Sequence, residues 1–229
     1  MTATKHSRGE GGTRKYEAIR QELRARILSG HYEPGHPIPE RVIADELAVS
    51  RVPVREALRQ LERDGLVSIV AQRGAQVRQF SAENMQSLYQ AREALEGMAA
   101  RLAAERVDEN YLEPFMAQFK GLIDRSITMD PAEESALGND FHDAIAQGSR
   151  NATVIELLAT IHDRVRLCRR LTYGHASPSW ARRAAEEHLT IAQAISRGDA
   201  DGAEHAMRTH VATWAGFLRT HLAGDSPLP

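Results

Sequence analysis

The sequence predicts a mainly α-helical protein in two parts: three helices with a small hairpin near the amino end, then an all-helical bundle. Three observations predict it. Apolar residues recur at three- and four-residue steps through most of the chain, and one stretch alone, around residues 66–80, reads as strand. The charge also divides unevenly, with 14 Lys and Arg against 10 Asp and Glu in residues 1–80 and 15 against 21 in the remainder. The 229 residues, 42% hydrophobic and 26% charged, suit one large globular domain or two ordinary ones. A single cysteine, Cys168, excludes an intramolecular disulfide framework, and the polar start MTATKHSRGEGG lacks the apolar core of a secretory signal. No apolar run approaches the roughly 20 residues that span a bilayer. The expected compartment is the reducing cytoplasm, with no membrane partner.

Residues 1–13, polar and carrying Gly9, Gly11 and Gly12, are expected to form a disordered leader. A first helix follows on the stripe Tyr16, Ile19, Leu23 and Ile27, and Ser29-Gly30 with Pro34-Gly35 and Pro37 ends it in a turn-rich loop. Pro39 stands at the start of a short second helix over about 40–47. After the turn Ala48-Val49, Ser50 is placed to cap a third helix with the apolar face Val54, Ala57, Leu58 and Leu61, and Asp64-Gly65 stops it. The strands are expected at Leu66–Val70 and Ala75–Phe80, joined by the turn Gln72-Arg73-Gly74. Three helices and a hairpin over residues 14–80 describe a winged helix-turn-helix.

Its arginines suit a polyanion. Arg51, Arg55 and Arg59 fall at i, i+4 and i+8 of the third helix, a basic stripe beside the apolar face. Guanidinium forks on such a flank match guanine edges and phosphates in a major groove. Arg41 on the second helix and Arg73-Gly74 at the hairpin tip are placed for flanking backbone or minor groove, and Ser50 offers a hydroxyl and a helix amino terminus to a phosphate. Taken singly, each arginine is equally well read as solvating a helix face; the coincidence of cap, stripe and wing tip favours DNA. The stretch IPERVIADELAVSRVPVREALRQLERDGLVSIVAQRGAQV resembles the DNA-binding domain of GntR-family bacterial repressors, from about Tyr16 to Phe80. The resemblance implies operator contacts at Arg41, Arg51 and Arg55, with Arg73 and Gly74 at the wing.

Beyond Ser81 helices are expected at about 82–106, 109–127, 132–147, 152–172, 178–197 and 201–223, with breaks at Asp130-Pro131, Gly148-Ser149, Gly174 with Pro178, and Gly198. Residues 81–225 are thus expected to form an effector-binding and dimerisation domain. The stripe Met85, Leu88, Arg92, Leu95, Ala99, Leu102 turns one arginine inward. The stripes Ala184, His188, Ile191, Ile195 and Ala203, Met207, His210, Trp214, Phe217 each turn in one histidine, and His142 lies beside Phe141 and Ile145. Buried cations and imidazoles are costly unless partnered, so these four side chains are expected to meet around something polar. Three imidazoles from facing helices suit a divalent ion such as zinc or nickel, and an arginine at its opening suits an anion. The blander reading pairs Arg92 with Glu96 and satisfies each histidine within the core. His162, His175, His205 and His221 are expected at the surface.

The phrases YQAREALEGMAARLAA, FHDAIAQGSRN and EEHLTIAQAISRGDADGAEHAMRTHV resemble the FCD effector domain of the FadR subfamily. The resemblance implies metal ligands at His142, His188 and His210 and an aspartate four residues before His142, where this chain has Gly138. Asp140 lies about 200 degrees round the helix from His142, and Asn139 is better directed but a poor ligand. The reading that follows is a homodimeric transcriptional regulator, expected to repress, that binds a double-stranded operator and responds to a small organic acid bound near Arg92. Two rivals share the residues: a metal-dependent enzyme with a DNA-binding appendage, and a DNA-binding dimer indifferent to any effector.

Overall fold

The structure, a computed structural model, describes residues 7–170 and 178–222, with side chains over 16–169 and 180–217. The chain divides into two units, the first ending at Gln79 and the second beginning at Phe80.

In the first unit, α1 (Ser7–Ser29) packs on α3 (Arg51–Arg63), with β1 (Pro37–Ile38) and α2 (Glu40–Glu46) between them in sequence and β2 (Val67–Val70) and β3 (Gly74–Val77) after them. Ile19, Leu23 and Ile27 of α1 and Val54, Ala57, Leu58 and Leu61 of α3 are at most 5% exposed, so the two predicted stripes form the core. The first helix starts at Ser7, inside the stretch expected as a leader, because extending an existing helix adds one hydrogen bond per residue fixed. The predicted hairpin gains a third strand: β1 pairs antiparallel with β3, giving the order β1-β3-β2. Ser50 occupies the N-cap position of α3 with extended backbone, but its side chain makes no capping hydrogen bond, contrary to expectation. Its hydroxyl is therefore not spent on the helix amides.

The second unit is a bundle of α4 (Ala82–Arg106), α5 (Glu113–Asp124), α6 (Pro131–Gly148), α7 (Ala152–Arg170), α8 (Pro178–Ser196) and α9 (Ala200–Leu222). Helix α4 contacts α6, α7, α8 and α9. Ala99, Ala100, Ala103 and Ala104 on its buried side let those neighbours come close. Capping sets several ends: Ser81 Oγ accepts from Asn84 N, and Asp130 with Glu133 forms a reciprocal capping box ahead of Pro131. Helix α5 is shorter than the predicted 109–127, since residues 109–112 form turns and Arg125 ends it at φ 63. Residues 1–6 of the expected leader, residues 171–172 and 223 at expected helix ends, Gly174 and His175 lie outside the described residues, as does the side chain of His221.

Candidate functional site: a basic recognition helix and a buried histidine cluster

On the first unit, α3 buries its apolar stripe and leaves Arg51, Arg55 and Arg59 outward, with side chains 59%, 49% and 55% exposed. Arg41 on α2 and Arg73 in the β2–β3 turn are also exposed. Gly74 sits at φ +79 with open space where a Cβ would be, and Gln72 precedes it at φ 67, which makes the wing tip a tight exposed turn. The arginines are not bare: Arg55 and Arg51 both donate to Glu40, and Arg59 pairs with Glu56.

In the second unit α4, α6, α8 and α9 bring Arg92, His142, His188 and His210 together, each at most 6% exposed. One nitrogen of each histidine lies within 4.8 Å of the others. Phe119 and Phe141 pack on His188 at ring separations of 5.0 and 5.1 Å and keep the cluster dry. Arg92 Nε donates to Glu96 Oε1 at 2.6 Å, the pairing the blander reading expected, and Arg92 Nη2 donates to His142 Nε2 at 3.2 Å. A guanidinium only donates, so His142 carries a lone pair on Nε2 and its proton on Nδ1, against Glu96 Oε2. Likewise His210 Nδ1 donates to Glu187 Oε2 at 2.8 Å, leaving its Nε2 to face His188 Nε2. Burial, reinforced by nearby cations, holds His188 and His210 well below the usual imidazole range. Burial pushes His142 down to about 4. The cluster is thus three neutral imidazoles, two with a carboxylate at the far nitrogen as histidine metal ligands commonly have, while the near nitrogen of His142 accepts from Arg92. Among the described residues it is the one group of three or more metal-competent side chains so gathered.

Gly138 is buried on α6 beside this cluster, and a Cβ there would meet His188 Cε1 at 3.2 Å. No carboxylate comes from that position. Asn139 is not a ligand either: its Oδ1 accepts from Arg169 Nη1 at 3.2 Å.

Sequence reasoning missed the polar layer behind the histidines. His162, expected at the surface, is 6% exposed. Its Nδ1 donates to Asp143 Oδ1 at 2.6 Å and its Nε2 to Glu96 Oε1 at 3.1 Å, so both nitrogens are protonated. Burial opposes that charge, but the two carboxylates outweigh it and raise the pKa. Glu96 itself is held well below the usual range, because Arg92 and His142 outweigh the penalty of burial. The step Val154, Leu158, Ile161, Val165 along α7 is the signal that could have found His162, which stands four residues beyond Leu158. Arg169, buried with its guanidinium 5.2 Å from the Trp214 ring, was also unforeseen.

A basic, outward helix with a wing, followed by a separate helical bundle around a buried polar site, defines a two-part DNA-binding regulator. The family models agree: residues 15–77 match the model described as bacterial regulatory proteins, gntR family, and residues 87–213 match the FCD domain. The chain belongs to the GntR family of transcriptional regulators, in its FCD-containing branch. It is 32% identical to the HTH-type transcriptional repressor RspR of Escherichia coli, over 85% of each chain. It is 30% identical to the probable D-xylose utilization operon transcriptional repressor of Paenarthrobacter nicotinovorans, over 86% of this chain and 85% of that one. Among solved structures, E. coli McbR/YncC shares the fold at a TM-score of 0.76 and 20% identity, covering 90% of this chain and 98% of its own. A putative GntR regulator from Rhodococcus sp. RHA1 does so at 0.68 and 24%, covering 93% and 99%. The protein is a DNA-binding transcriptional regulator, and the enzyme reading of the histidines falls with that membership. None of the described helices is long and apolar enough to cross a membrane.

Proposed function

We propose that the protein is a cytoplasmic homodimeric repressor whose two winged helices bind a pseudo-palindromic double-stranded operator through Arg41, Ser50, Arg51, Arg55, Arg59, Arg73 and Gly74. A small organic acid bound in the second unit relieves repression. The observation that carries the effector reading is Arg92 Nη1, a buried donor with no hydrogen-bond partner among the described residues, beside three neutral imidazoles. A carboxylate supplies the missing acceptor. His142, His188 and His210 would hold a divalent ion such as zinc or nickel, whose charge would add to that of Arg92 in attracting the acid. Glu96 and Glu187 orient two of these ligands, and Phe119 and Phe141 exclude water.

The acid must favour one arrangement of the DNA-binding units over the other, since equal affinity for both would shift nothing. The test selects an operator from random duplexes, then measures operator affinity by fluorescence anisotropy with a panel of small carboxylates, with and without zinc or nickel. At least one acid is expected to weaken operator binding, and Arg92→Gln to remove that response. Operator affinity indifferent to every acid in the wild-type protein would leave the effector-independent dimer as the correct reading.

A further inference from the structure

The two recognition-helix arginines nearest the amino end of α3 share one acid. Arg55 Nε donates to Glu40 Oε1 at 3.0 Å and to Oε2 at 3.2 Å, and Arg55 Nη2 donates to Oε2 at 2.9 Å. Arg51 Nη2 reaches the same Oε2 at 3.4 Å. Glu40 is the first residue of α2 and the most sheltered of the three, 25% exposed against 49% and 59%. The Arg55 hydrogen bonds and the charges of both arginines hold its carboxyl below the usual range, so it stays an anion.

A guanidinium has two bidentate edges. Glu40 occupies the side edge of Arg55, made by Nε and Nη2, and leaves the end edge, made by Nη1 and Nη2, pointing away from it. With the side edge taken, that end edge is the bidentate fork left to meet O6 and N7 of guanine. A phosphate needs only positive charge at any edge, and here two cations are already offset by one anion. From this geometry we infer that Glu40 is a specificity-determining residue: it presents Arg55 end-on for guanine readout and lowers the attraction of α3 for phosphates of any sequence. The inference rests on the reading that α3 enters the groove, and it assigns a role to a residue that itself needs no contact with DNA. A merely decorative surface ion pair would instead leave base discrimination untouched.

The experiment compares Glu40→Gln, which keeps the shape and removes the charge, with the wild-type full-length protein. The probes are a selected operator duplex and a random-sequence duplex of equal length, titrated by anisotropy across a salt series. Glu46→Gln serves as the charge control, because Glu46 lies on the same helix and pairs with Arg26 rather than with α3. Glu40→Gln is expected to bind random DNA several-fold tighter, with a salt slope steeper by about 0.9, and to lose at least about fivefold of the operator-to-random ratio. Glu46→Gln is expected to keep the wild-type ratio. An unchanged ratio in Glu40→Gln, or an equal fall of the ratio in Glu46→Gln, overturns the inference. Arg55→Ala separates the two levels. If it weakens operator binding while Glu40→Gln keeps the ratio, only the role of Glu40 fails; if it leaves operator binding intact, the groove reading of α3 fails with it.

Discussion

His188 Nε2 stands 3.2 Å from His210 Nε2 in the interior of the second unit. Two buried nitrogens at that distance attract only if one of them carries a proton, or if both face a shared cation. His210 already spends its proton on Glu187 through Nδ1, so in the ion-free state the proton between them belongs to His188. An ion held at His188 Nε2 would require that proton to sit on Nδ1 instead, a change of tautomer with no net release of a proton.

Acid should therefore unfold the ion-free protein more readily. His142, His188 and His210 sit below their ordinary value of 6.5, His142 at about 4. The unfolded chain then binds more protons than the folded one, and stability present above pH 6.5 is lost as pH falls toward 4. His162 works oppositely, since its raised pKa favours the fold below 6.5 and loses that effect as pH rises through the folded value. The carboxyls of Glu134 and Glu187, pushed up by burial, act in the same sense as His162, but the three histidines are shifted further, so the melting temperature of chelator-treated protein should fall on the order of 5 °C or more between pH 7 and pH 5. A melting temperature that rose over that interval would place the three histidines in the charged state.

Glu96 joins Arg92, His142 and His162, so it is the point at which the polar interior is most sensitive. Glu96→Gln keeps the volume and leaves two buried cations without their anion. Urea unfolding should show a loss of about 3 kcal/mol, the usual cost of removing one partner from a buried pair. A loss within about 0.5 kcal/mol would mean that water already reaches this layer.

Gly138 offers a gain rather than a loss. A Cβ there has one tight neighbour, His188 Cε1 at 3.2 Å, so an aspartate fits after a shift of a few tenths of an ångström and brings a fourth donor to the cluster. Gly138→Asp should raise zinc affinity at least about tenfold in chelator competition. Equal affinity in variant and wild type would mean that position 138 does not face the ion.

On the DNA face, Arg51→Ala should cost about 1–3 kcal/mol on a selected operator and flatten base preference. Arg41→Ala should weaken binding evenly across sequences and reduce the salt slope by about one. Anisotropy with single-base operator variants measures both. Retained base preference in Arg51→Ala would move readout elsewhere on α3.

Most of the fold was legible because its signals are local. Helical stripes and the breaks at Asp130-Pro131, Gly148-Ser149 and Gly198 place α4, α6 and α8 within a residue or so, and Arg92, His142 and His188, with His210 on α9, stood out as polar residues turned inward. What escaped depends on partners distant in sequence. Glu96 meets His162 across 66 positions, and Arg55 meets Glu40 across 15 with no periodic signal to announce it. The strand Pro37–Ile38 is two residues long, too short to carry an alternating pattern, and exists only because β3 offers an edge. Asn139 illustrates the same limit: its spacing suggested a weak ligand, whereas Arg169 from α7 claims it.

Metal content tests directly whether the histidine cluster is a metal-supported effector site. Protein purified without chelator or an affinity tag that carries nickel is analysed for elements alongside His188→Ala. About one divalent ion per chain, absent from His188→Ala, is the predicted result. No ion in either preparation, even after incubation with zinc or nickel, would contradict it and leave Arg92 with the imidazoles as a direct anion pocket.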